Sequence, residues 1–249
     1  MVTHSNKSLF LLVIKRVLRM PFLLVREGRI KFLIRKTIAK ISGRIPAEFL
    51  VNPGDVVVLI GFHRIDSVML WSYLVGGRGK VLVIEAVPSY IDNIRTNLER
   101  HLNWPIRNIT YVSKGVDAIP GTALIQVGRH ADYNKISMRS INDGLTEAQF
   151  EGEIEIQTDT VDNILRENTI SSVNHVHMTI SGMECEALKG MEETLLTDGL
   201  RVYIRSLHIK DGKLLYPQVV RLLEQSGMKT AEAKRSKGFK GRDIYGARL

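Results

Sequence analysis

The residues best suited to chemistry are a few polar side chains that stand where apolar runs end. Glu85 closes the run Val81-Leu82-Val83-Ile84, and Gly61 closes the earlier run Val56-Val57-Val58-Leu59-Ile60. Their separation is close to that between the first turn of a nucleotide-binding unit and the acid after its second strand. A carboxylate there can accept hydrogen bonds from both ribose hydroxyls of an adenosine. The plainer alternative is an exposed acid at a strand end. After Gly61 come Phe62, His63, Arg64 and Ile65, then Asp66 and Ser67, either of which can cap a following helix. A third group spans 173–184. His175 and His177, two apart, share one face of a strand. Thr179 stands near the end of that strand, Ser181-Gly182 turns the chain, and Glu184 follows. The histidine pair lacks a third ligand at a metal-site spacing, so no metal is expected. His177 and Glu184 are candidate general bases near the strand tip, and His63 reaches the same crevice from the first loop.

These groups need a scaffold that brings strand ends together. The pattern supplies strand, glycine turn, helix (Ser67 to Leu74), strand, acid, helix (Tyr90 to Leu102), the opening of a doubly wound α/β unit. Continuous β-branched runs suit parallel strands buried on both faces. A third strand is expected at Asn108 to Val112. A hairpin of Thr122 to Val127 with Gly152 to Thr158 brackets a polar loop from Gly128 to Gln149. A helix over Val161 to Glu167, capped by Asp159 or Thr160, leads to the histidine strand Val173 to Ile180. A helix from Met183 to Leu196 follows, then a strand Arg201 to Leu207 and a helix Pro217 to Gln225. Strands Met228 to Ala233 and Asp243 to Arg248 close the chain.

The charge is unevenly placed. The protein has 249 residues with 35 Lys and Arg against 26 Asp and Glu, and the first 50 residues hold 11 of the bases and 2 of the acids. The body is therefore balanced, which argues against a nucleic-acid groove built into it. Residues 1–48 read as a helical arm broken at Pro21. Ile30, Leu33, Ile34, Ile38 and Ile41 fall on one stripe, with Lys31, Arg35, Lys36 and Lys40 elsewhere on the wheel. Such a helix can lie on an anionic membrane surface or pack on the body with a solvated basic face. The apolar run Leu9 to Ile14 is too short to span a membrane. The single cysteine, Cys185, forms no internal disulfide and fits a reducing, cytoplasmic compartment, with the arm holding the protein peripherally on a membrane.

Three segments together resemble the FkbM-type methyltransferases. They are Gly54 to Gly61 with Val83-Ile84-Glu85-Ala86-Val87-Pro88, then Thr160-Val161-Asp162-Asn163-Ile164-Leu165, and His177 to Glu184 followed by Ala187-Leu188-Lys189-Gly190-Met191-Glu192. The resemblance covers residues 49–249. It implies a Rossmann-like methyltransferase fold: a mostly parallel, doubly wound sheet with one antiparallel closing strand. It further implies S-adenosylmethionine as cofactor, lying along Gly61, His63, Asp66, Glu85 and Thr179, and a small-molecule hydroxyl, such as one on a sugar, as methyl acceptor. Leu59, Thr179 and Ser181 stand where the family has acids, and Phe62 to Ile65 replace its glycine-rich turn. Two readings follow: a methyltransferase, and a methyltransferase-like binding or scaffold module that has lost catalysis.

Overall fold

A computed structural model describes residues 51–61, 65–102, 108–128, 135–136, 150–210, 212–234 and 242–248. The arm and the segment Phe62 to Arg64 that contains His63 lie outside the described residues, as does most of the polar loop.

The apolar runs form strands where the sequence places them. β1 is Val56–Gly61, β2 Lys80–Ile84 and β3 Ile109–Val112, with α1 (Ile65–Val75) and α2 (Pro88–Leu102) between them. After a small sheet come α3 (Val161–Glu167), β8 (His175–Thr179), α4 (Glu184–Lys189), α5 (Glu192–Leu195) and β9 (Arg201–Ser206). The hairpin β10 (Ile209–Lys210) and β11 (Lys213–Leu214), α6 (Tyr216–Gln225), β12 (Lys229–Lys234) and β13 (Arg242–Ala247) complete the order. The main sheet has seven strands in the order β12-β13-β9-β8-β1-β2-β3. β1, β2, β3, β8 and β9 pair in parallel. β13 runs antiparallel to both of its neighbours, β9 and β12. The order reverses between β1 and β8, and in such sheets ligands bind outside the strand ends at that reversal.

Two layers bury the sheet. Val58, Ile60, Leu82, Ile84, Val176 and Met178 belong to a core shared with α3, α4, α5 and α6. Val57, Leu59, Val81 and Val83 pack with Val68, Trp71 and Val75 of α1 and Ile91, Ile94 and Leu98 of α2. The double burial explains why these strands read as unbroken apolar runs. At the other end of the strands, Asp55 pairs with Arg201 at 3.1 Å and ties the start of β1 to the start of β9.

The second sheet is β4 (Gly115–Val116), β7 (Phe150–Asp159), β5 (Gly121–Gly128) and β6 (Lys135–Ile136), in that order. β5 and β7 are the antiparallel hairpin expected from the alternating pattern, with a register irregularity at Val127/Gly128. Its inner residues Ile125 and Ile156 pack with Val87, just beyond β2, and with Met183, just beyond β8. The small sheet is thereby seated over the C-terminal ends of the large one.

Two expectations are corrected. α1 begins at Ile65, so Asp66 and Ser67 lie inside its first turn and not at the cap position. The helix expected over 183–196 is two short helices that part at Gly190 and Met191. At the break the Gly190 carbonyl accepts from the Asp162 N–H at 3.0 Å and not from a following helical N–H, and a Cβ on Gly190 would stand 2.2 Å from the Asp117 carbonyl oxygen, so the backbone passes too close there for any side chain. The second helix then starts afresh, its Glu193 and Thr194 N–H groups each donating to the Asp162 carboxylate at 2.9 Å. Thr160 caps α3 by accepting from the Asn163 N–H at 3.1 Å. The Thr160-Val161-Asp162 and Leu188-Lys189-Gly190 motifs are therefore architectural.

Candidate active site

Three chain turns meet at the reversal of strand order. The first follows β1. Gly61 has φ +82°, and a Cβ there would lie 2.1 Å from the Thr179 carbonyl oxygen. Only glycine fits, because β1 and β8 converge at their tips, where Gly61 and Thr179 are direct partners.

The second turn follows β2. Glu85 is 5% exposed, and its Oε1 accepts from the Val87 N–H at 2.9 Å. Burial pushes its carboxyl up to about 7, against the opposing pull of the Val87 and Ala86 N–H groups. A buried acid at the tip of the second strand, poised near neutrality, is suited to accept from a pair of hydroxyls. Beside it, Val87, Pro88 and Ser89 form one wall of an open cleft of about 540 Å³, and the β5–β7 hairpin forms the other.

The third turn follows β8. Ile180 to Met183 reverse the chain, with Gly182 at φ +80°, and deliver Glu184 to the first turn of α4. Glu184 is fully buried. Its Oε1 lies 3.3 Å from Nδ1 of His208, and its Oε2 accepts no hydrogen bond among the described residues. His208 follows β9, the next strand along. Two residues on, Lys210 Nζ donates to Glu186 Oε1 at 3.1 Å, so the β10–β11 hairpin is fastened to α4 twice. His208 is absent from the expected site. Its signal was a histidine just beyond a predicted buried strand, and the Lys210-Asp211-Gly212-Lys213 turn signal marks the hairpin that holds it.

His177 lies elsewhere. It is the middle residue of β8, two short of the tip, on the face away from α4. Its ring stacks on Tyr203 with centroids 4.2 Å apart and meets Trp71 edge-on at 5.5 Å. His175 is 6.0 Å from it, and Tyr203 leads on to Tyr245 at 5.3 Å. The two histidines share one face, in an aromatic row that crosses the sheet. The structure thus brings Gly61 and Thr179 together at the reversal, with Glu85 one strand to one side and Glu184 beyond β8 on the other. It places His177 in a packed layer. Asp66 is in α1, and its side chain lies outside the description. Among the described residues no three His, Cys, Asp or Glu gather as a metal site, and no helix is long and apolar enough to cross a membrane. Cys185 is buried, and burial pushes its thiol up to about 12, so it is no nucleophile at neutral pH.

Residues 52–230 match the family model described as the methyltransferase FkbM domain. Among solved structures the chain is similar to methyltransferase FkbM from Methylobacillus flagellatus KT, at 12% identity and a TM-score of 0.52. That match covers 82% of this chain but 46% of the other, so the chain spans less than half the length of that protein. It is similar also to fibrillarin from Aeropyrum pernix, solved with natively bound S-adenosyl-L-methionine. There the identity is 12%, the TM-score 0.52, and the coverage 86% of this chain and 74% of that one. Both likenesses are to Rossmann-like methyltransferase folds. No curated protein matches the chain in sequence.

Proposed function

Because this chain belongs to the FkbM methyltransferase family, we propose that it moves a methyl group from S-adenosylmethionine to a hydroxyl of a sugar or another small molecule. The observation that carries this reading is Glu85, a buried carboxylate at the tip of β2, one strand from the reversal between β1 and β8. It fits the adenosine end of the cofactor. Its buried carboxylate gains two hydroxyl donors when a ribose docks, which offsets the cost of ionising it in an apolar setting. Gly61 and Thr179 line the crevice beyond it. When bound, the cofactor supplies a methyl group on a positively charged sulfur.

The protein's own part is to hold donor and acceptor in line, to exclude water and to take the hydroxyl proton. The cleft beside Val87 and the small sheet over the strand ends give the enclosure. The charge-balanced body favours a small acceptor over a nucleic acid. The basic arm, residues 1–48, is proposed to hold the enzyme on an anionic membrane surface.

Calorimetric titration with S-adenosylhomocysteine tests the cofactor reading. Binding at micromolar ligand is expected, weakened at least tenfold in Glu85→Ala. A second reading is a binding module that keeps the fold without catalysis, and the core side chain Leu59 where the family has an acid favours it. No heat at millimolar ligand would favour that second reading.

A further inference from the structure

We propose that His208 is the proton acceptor of the transfer and that Glu184 acts through it as a positioning residue. This rests on the methyltransferase reading. The ribose end of the cofactor is assigned to Glu85 at the tip of β2, and its methyl end would be held by residues at the neighbouring strand ends, Gly61 of β1 and Thr179 of β8. An acceptor approaching that methyl meets the next strand ends, β8 and β9, where the Glu184–His208 pair stands.

The division of roles follows from exposure. Glu184 is 0% exposed and cannot touch an acceptor, whereas the His208 side chain is 20% exposed. Nδ1 of His208 faces the Glu184 carboxylate at 3.3 Å. In this assignment Glu184 is the carboxylate, which only accepts, and Nδ1 carries the proton and donates it. The other nitrogen, Nε2, is then a bare acceptor, and no partner occupies it among the described residues. The second oxygen of Glu184 is likewise buried without a hydrogen bond among the described residues. Two residues on from His208, Lys210 pairs with Glu186 at 3.1 Å.

The step balances. The hydroxyl proton passes to Nε2 of His208, giving an imidazolium beside the Glu184 carboxylate. The freed oxygen pair forms the bond to the methyl carbon, and the carbon–sulfur pair stays on sulfur, which becomes neutral. The contact at 3.3 Å is long for a hydrogen bond, as such pairs often are before substrate tightens them.

The test is nitrogen NMR of the full-length protein at a pH of about 8.5, above the ordinary imidazole range. The His208 signal is assigned by difference with His208→Gln, and calorimetry with S-adenosylhomocysteine is run on the same samples. The expected result is the Nδ1–H tautomer for His208, lost or mixed in Glu184→Gln, with ligand affinity within about twofold of the parent. An Nε2–H tautomer in the parent overturns the proposal, because that nitrogen is then already occupied. Should Glu184→Gln fail to fold, the parent spectrum alone decides. Absence of ligand heat beside the Nδ1–H tautomer would overturn the cofactor reading and leave the pair's geometry standing, so the two failures are distinguishable.

Discussion

Glu85 carries the most testable physics at the scale of single residues. Its folded-state carboxyl is raised to about 7 by burial, so between the ordinary carboxylate range and pH 7 the native state holds a proton that the unfolded chain releases. Stability from this group is fully present below the unfolded value and is lost as the pH rises through about 7. Glu85→Gln removes that loss. In thermal melts without ligand, the variant's Tm should exceed the parent's by a margin that widens from pH 5 to pH 8; a margin constant with pH would refute the assignment. Glu85 was legible in the sequence because strand, acid and interval lie in one local stretch. His208 was not, because its importance comes from Glu184, which reaches it only after β8 and β9 pair. His177 shows a different tertiary effect. A histidine near a strand end reads as chemistry, but the alternation of side chains along β8 turns it into a layer with Trp71 and Tyr203.

At the scale of elements, the motifs that look most like a signature turn out to serve packing. Gly190 lets α4 end where the Asp117 carbonyl passes, and Asp162 restarts the chain as α5. Gly190→Ala should therefore lower stability by roughly 1–3 kcal/mol, because the added methyl meets backbone that cannot yield as a side chain would. Chemical denaturation measures this, and a loss under about 0.5 kcal/mol would show that the close approach relaxes. Strands and long helices were readable from periodicity alone. The break within 183–196 was not, since Leu188, Met191 and Leu195 keep helical spacing across it and only the tertiary neighbour forbids continuity. The β10–β11 hairpin is too short for periodicity to register.

At the scale of the whole molecule, residues 1–48 hold the entire net charge of +9 and the rest of the chain is balanced. If the arm seats the enzyme on lipid, Lys31, Arg35, Lys36 and Lys40 contribute about 1 kcal/mol each. Replacing all four with Gln should then weaken sedimentation with anionic liposomes on the order of a thousandfold. Equal sedimentation of parent and variant would remove the membrane role. β13 has a different kind of reach. It slots between β9 and β12 although it is made after both. During synthesis the β9 edge, Arg201 to Ser206, therefore waits unpaired until β13 emerges from the ribosome. A nascent or prematurely stopped chain presents that edge as a template for a neighbour's strand. The order of manufacture thus makes β13 the strand whose loss invites aggregation first.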